Sequence, residues 1–294
     1  MVVAAVRIFL FLVCAAAWAQ DPYPAKPIRL IVSFTPGGGA NGLVGAGAVA
    51  SAAADGYTML LTDRGALGIN PSLYRSLPYD PTRDFAYIGI ATVAPYVLVC
   101  DPRLPVKTLG ELAAHAKANP AKLNYASFGM ASMAHLNLEA LKARLGINLI
   151  HVPYKGAGPA VQGVVAGDAG VTIASPAAVL GFVRDGRLRA LAIGARQRSP
   201  LLPDVPTLGE AGADDDILAS TYFAFALPAG TPRPVVQRLH QEMKAALSAR
   251  DVSERLSNAG LEPLGSTGDE LMELVKRDIP RFRKLIGEIG IQPE

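Results

Sequence analysis

An α/β protein of two layered lobes is the fold this 294-residue sequence predicts, on three observations. Short runs rich in Val and Ile alternate with helical stretches almost throughout, the pattern of strand and helix layers with mainly parallel sheets. Ten such runs occur, more than one simple sheet usually holds. Several of them empty into Gly- and Ser-rich loops, and loops at the C-terminal ends of parallel strands face the ligand crevice of open α/β sheets.

Taken in order, the first run is 28–34, Ile-Arg-Leu-Ile-Val-Ser-Phe, followed at once by Thr35-Pro36-Gly37-Gly38-Gly39, so a β-rich strand ends in bare backbone amides. The alanine-rich stretch 46–54 reads as helix. Further strands are expected at 57–61, 87–91, 96–100, 123–126, 148–153, 170–173, 188–193, 221–226 and 261–263. Helix starts are marked by a side-chain acceptor three residues ahead of a Glu: Thr108 with Glu111, Thr207 with Glu210, Asp251 with Glu254 and Thr267 with Glu270. Two prolines in Asp101-Pro102-Arg103-Leu104-Pro105 suggest one boundary, and 221–232, where an aromatic strand leads to Pro228 and Pro232, suggests another. The expected division is therefore one discontinuous lobe of 20–101 plus 224–294 and a second lobe of 102–223.

Residues 1–19 carry one positive charge, Arg7, then an apolar stretch ending in Ala17-Trp18-Ala19, which reads as a cleavable export signal. The stretch is too short to span a bilayer, which sets a retained anchor aside. The formal charge of +3 includes Arg7, and no basic stripe is interleaved with aromatics, so nucleic acid is excluded as a partner. Cys100 is the only cysteine after cleavage, leaving neither a disulfide nor a Cys-based metal cluster. It reads as a small core residue.

Gly37-Gly38-Gly39-Ala40-Asn41-Gly42 fits the G-x-G-x-x-G pattern, with Asp63 about 20 residues on as a dinucleotide site wants. Export argues against a nicotinamide cofactor, so the retained reading is that exposed amides and a helix N-terminus attract an anion. Two further loops of this kind are 125–132, Tyr-Ala-Ser-Phe-Gly-Met-Ala-Ser, and Pro153-Tyr154-Lys155-Gly156-Ala157-Gly158. Together they imply a cleft between lobes. No G-x-S-x-G elbow is present. His115, His135, His151 and His240 are scattered without metal-site spacing; the first and last read as solvated, the other two as packing or hydrogen-bonding groups near the cleft. Asp63 and Arg64 read either as a surface ion pair or as placing Arg64 in the cleft against a ligand carboxylate.

Several phrases together resemble the Bug receptors, the extracytoplasmic solute-binding proteins of tripartite tricarboxylate transporters. They include Tyr23-Pro24-Ala25-Lys26-Pro27, Pro36-Gly37-Gly38-Gly39, Asp55-Gly56-Tyr57-Thr58, Ile69-Asn70-Pro71-Ser72-Leu73-Tyr74, Leu123-Asn124-Tyr125-Ala126-Ser127, His151-Val152-Pro153-Tyr154-Lys155-Gly156 and Leu202-Pro203-Asp204-Val205-Pro206-Thr207, in order over nearly the whole mature chain. The resemblance implies a type II periplasmic-binding fold, two α/β lobes closing on a small carboxylate held by backbone amides, small hydroxyls and ordered water. Carried over by position, it points to Gly37, Gly38 and Gly39 in one lobe and to Ser127, Gly129, Ser132 and Tyr154 in the other, with Asn70 supporting the first lobe's wall. Asn41 stands where a polar residue is expected, and Ser175 where many relatives carry an acidic one.

The sequence also departs from that pattern, because only 40–54 separates the glycines from Asp55-Gly56-Tyr57-Thr58. About one helix and one strand of the first lobe are missing, which leaves the first strand to pair with the 57–61 strand. The expected protein is a monomeric periplasmic receptor without cofactor or metal, handing an organic acid to membrane transporter subunits. The rival readings are an exported α/β enzyme using the same glycines and a degenerate receptor that has lost binding.

Overall fold

The computed structural model describes residues 23–33, 42–213 and 220–292. The export signal expected at 1–19, and Gly37, Gly38, Gly39 and Asn41, lie outside the described residues.

All ten expected strands are present, within a few residues of the limits their β-branched composition suggests. The first sheet has the order β1-β2-β9-β3-β10: β1 Arg29–Val32, β2 Thr58–Asp63, β9 Thr221–Pro228, β3 Phe85–Ala94 and β10 Glu262–Pro263. The second has the order β6-β5-β7-β4-β8: β6 Ile150–Pro153, β5 Asn124–Ser127, β7 Val171–Ala174, β4 Val97–Cys100 and β8 Arg189–Ile193. As expected from the short 40–54 connection, β1 pairs directly and in parallel with β2, from Arg29 opposite Thr58 to Val32 opposite Leu61. Helix α1, Leu43–Ala50, is the crossover between them.

The expectation of mainly parallel sheets is corrected. Among the described strands only β1–β2, β5–β6 and β5–β7 pair in parallel, and the other strand pairings are antiparallel. The cause is the chain's path. Every antiparallel pairing involves β4 or β9, the strands that follow the two crossings between lobes, or the short β10.

The crossings also move. Strand β3 ends at Ala94 in the first sheet and β4 starts at Val97 in the second, so the change falls at Pro95-Tyr96, ahead of the expected 101–105. The prolines there mark a turn inside the second lobe, where Asp101 Oδ1 accepts the Arg103 N–H at 2.9 Å. On the return, Ala213 is still buried in the second lobe's core and Thr221 already belongs to the first sheet.

Helices α2 Asn70–Leu73, α3 Leu109–Ala118, α4 Met133–Leu145, α5 Ala157–Ala166, α6 Pro176–Arg184, α7 Arg233–Ser248, α8 Arg250–Asn258 and α9 Gly268–Glu288 cover the sheets. A π-helical turn, Gly65–Ile69, leads into α2. Thr108 and Thr267 cap their helices as expected, the latter with a reciprocal bond from Thr267 N–H to Glu270, and Thr207 and Glu210 form the same box over a turn. Asp251 does not cap. Its helix starts two residues earlier than that cap would place it, with Ala249 as N-cap and Asp251 inside the first turn.

Cys100 is buried as expected, and burial pushes its thiol up to about 11. Helix α9 belongs to both lobes: Leu271 and Val275 pack in the first lobe's core, whereas Phe282 and Ile286 join the second's. Among the described residues no helix is long and apolar enough to cross a membrane.

Candidate functional site

Strands β5, β6 and β7 run parallel side by side, so their C-terminal ends share one sheet edge. Each leads into a helix, and the N-termini of α4, α5 and α6 collect there. Exposed amides and aligned peptide dipoles make such ends suited to an anion. Their caps differ. Ser132 accepts the His135 N–H at 3.3 Å and donates to Gly129 O at 2.8 Å, whereas Gly156 and Ser175 make no side-chain cap.

The β5–α4 loop is internally bonded. Ser127 Oγ accepts the Gly129 N–H at 3.2 Å and lies 2.6 Å from His151 Nε2 on β6. Gly129 sits at φ 130, where a side chain is disfavoured, and Ala131 at φ 53 takes the left-handed region despite its Cβ. Tyr154 N–H donates to Ser127 O at 3.0 Å, tying the β6 loop to the β5 loop. The Tyr154 ring covers Gly163, where a methyl group would fall 2.3 Å from Tyr154 Oη.

Behind this loop, His135 and His151 stack with ring centroids 4.0 Å apart, and Tyr125 stacks on His151 at 4.9 Å. Tyr125 donates to Glu139, which Lys142 also pairs at 2.7 Å. Burial, then the neighbouring His151, holds the His135 imidazole down to about 4, and burial also lowers His151. Both rings are neutral at pH 7. His240 is not solvated as expected, since its Nδ1 lies 3.1 Å from Ile88 O. Among the described residues no group of three or more His, Cys, Asp or Glu could hold a metal.

Of the predicted ligand residues in the second lobe, Gly129, Ser132, Tyr154 and Ser175 are half-buried along the shared edge. Ser127 is fully buried, so it shapes the loop and offers no surface to a ligand. One prediction for the first lobe is corrected. Arg64 does not reach a ligand carboxylate: Nε and Nη2 grip Asp278 at 2.7 and 2.6 Å, and Nη1 donates to Ser220 O at 2.7 Å, between the rings of Tyr222 and Phe282. The guanidinium is a buried clip joining the end of β2, the return crossing and α9. Asn70 is 2 % exposed and donates to Tyr79 Oη at 3.1 Å, while Tyr79 donates to Ala66 O, so it braces the first lobe's wall and offers no surface to a ligand. Asp63, whose carboxyl burial pushes up, accepts the Ala66 N–H at the start of the π turn.

Sequence reasoning did not anticipate Gly260. It is buried at φ 71 in the first-lobe turn after α8, where a methyl group would lie 3.1 Å from Ala177 N and 3.2 Å from Pro176 Cβ. The first lobe therefore meets the N-terminus of α6 across the cleft with only a glycine's clearance. Its place directly after a helix is the one sequence signal that could have marked it.

Against this geometry, the model of the tripartite tricarboxylate transporter family receptor matches residues 28–291. Protein BugT of Bordetella pertussis is 34% identical over 304 aligned residues, covering 94% of this chain and 93% of that protein. The solved structure of R. palustris Rpa4515 with adipate superposes with a TM-score of 0.80 at 28% identity, covering 92% of this chain and 100% of that one. MatC from Rhodopseudomonas palustris with bound malate gives a TM-score of 0.74 at 28% identity, covering 90% and 100%. The resemblance read from the sequence and the two-lobed binding-protein fold are both borne out.

Proposed function

The chain belongs to the tripartite tricarboxylate transporter receptor family, and from that premise we propose that it captures a small organic carboxylate in the periplasm by lobe closure. The observation that carries this reading is the meeting of three helix N-termini, α4, α5 and α6, on one sheet edge opposite the first lobe. Gly129, Ser132, Tyr154 and Ser175 supply the second lobe's face of the site, and Gly37, Gly38, Gly39 and Asn41 the first lobe's. The adipate and malate held by the two similar solved receptors support a dicarboxylate as ligand class.

Closure is a matter of differential binding: the ligand favours the closed state only by what it gains there over the open one. The two crossings, at Pro95-Tyr96 and before Thr221, serve as hinges, and the Arg64–Asp278 clip fixes the second to the first lobe. Export by residues 1–19 delivers the chain as a monomer, and the membrane subunits of the transporter receive the ligand. The reaction class is binding without catalysis. Ser127 and His151 have the spacing of a nucleophile and its base, yet the serine is fully buried and no substrate atom can reach it.

Thermal unfolding of the mature protein with adipate, malate and NAD tests this reading. A ligand present at 100 times its Kd stabilises by about 2.7 kcal/mol, an easily measured shift. Stabilisation by a carboxylate is expected. Stabilisation by the nucleotide alone would transfer the glycines to the enzyme reading.

A further inference from the structure

We propose that His135 is a positioning residue that sets the shape of the 127–132 loop and, through it, the affinity for carboxylate; this rests on the proposed receptor function. The key contact is a buried hydrogen bond from Ala131 N–H to His135 Nδ1, 3.0 Å long. Ala131 stands at φ 53, a left-handed conformation that a residue with a Cβ avoids unless its surroundings hold it there. Its amide is buried, so without an acceptor it would be left unsatisfied. The imidazole is the acceptor that resolves both problems at once.

The ring is itself fixed. His151 stacks on one face with an interplanar angle of 10°, and Tyr125 lies beyond it. The two histidines therefore hold opposite ends of one loop: His151 meets Ser127 Oγ at its entry, and His135 meets Ala131 N–H at its exit. Between them Gly129 O accepts Ser132 Oγ–H and the Ser132 N–H, which orients the α4 N-terminus. Because Nδ1 accepts, the neutral ring must carry its hydrogen on Nε2. A loop preorganised in this way does not have to be ordered by the ligand, which raises affinity.

The test combines variants that separate acceptor from bulk. In His135→Leu the acceptor is lost; in His135→Asn the side-chain oxygen takes the place of Nδ1; Ala131→Gly removes the conformational penalty. With adipate as the probe in calorimetry, H135L should bind about tenfold more weakly and H135N within about threefold of wild type, and adding A131G to H135L should recover most of the loss. Hydrogen exchange at the Ala131 amide should quicken in H135L and stay slow in H135N, with no ligand present. Equal exchange in all three proteins would overturn the proposal even if none binds adipate, an outcome that would count separately against the dicarboxylate reading. Should H135L fail to fold, nitrogen chemical shifts of wild-type His135 decide, because a ring protonated on Nδ1 in its neutral form is incompatible with the proposal.

Discussion

The two lobes follow one α/β plan and differ in how completely each closes its own core. The second lobe buries a continuous cluster from Tyr96 to Ala213 and recruits Ile69 from the π turn and Phe282 and Ile286 from α9. The first divides its apolar side chains between the two faces of its sheet and leaves its edge open, with Leu30 45% and Val32 50% exposed on β1. Packing is thus concentrated in the lobe that presents the helix N-termini, and the first lobe depends on specific polar and steric fixtures.

The largest expected effect is on the clip. Asp278→Ala leaves the Arg64 guanidinium buried without its partner and should destabilise by about 3–5 kcal/mol in denaturant unfolding. Carboxylate affinity of the folded fraction should change little, because neither residue faces the ligand. A variant that keeps its stability yet loses binding would return Arg64 to the cleft and break the contrast between lobes.

A glycine in each lobe sharpens the same contrast. In the first lobe, a methyl group at Gly89 would fall 1.9 Å from the backbone oxygen of Ser266, so Gly89→Ala should cost about 1–3 kcal/mol through forced backbone movement. In the second, Gly163→Ala meets the tip of Tyr154, a side chain that can swing away. Stability should fall by less than about 1 kcal/mol, while adipate affinity drops about tenfold as the ring leaves its place.

The buried histidine gives the second lobe a pH response of its own. Folding lowers the His135 pKa from 6.5 to about 4, so the unfolded chain binds more protons between those values. The stability contributed by the neutral ring is full above about pH 6.5 and is lost as pH falls toward 4, which pH-dependent urea unfolding reads directly. His135→Asn should flatten that slope. The smallest effect is expected at the open edge, where Leu30→Lys and Val32→Lys should stay within about 0.5 kcal/mol of wild type. A larger loss would mean that a partner covers β1.

The strands were legible because their signal is local: runs such as Val97-Leu98-Val99 and Val171-Thr172-Ile173 are rich in β-branched residues and bounded by turn residues. Caps at Thr108 and Thr267 were legible for the same reason. The direction in which β4 and β9 enter their sheets is a property of the path between lobes and leaves no periodicity. Arg64 and Asp278 lie 214 positions apart, and an arginine at a strand end reads alike whether it meets a ligand or a buried aspartate. His135 and His151 were recognised only as groups near the cleft. Their stack depends on β5 and β6 lying side by side, which only the folded chain provides.

Calorimetric titration of the purified mature protein with adipate and with malate bears most directly on the claim that the second lobe's helix N-termini cradle a carboxylate. Saturable one-to-one binding of at least one acid is predicted, weakened about tenfold in Gly163→Ala and retained by folded Asp278→Ala. Heat from neither acid, or equal binding in wild type and Gly163→Ala, would contradict it.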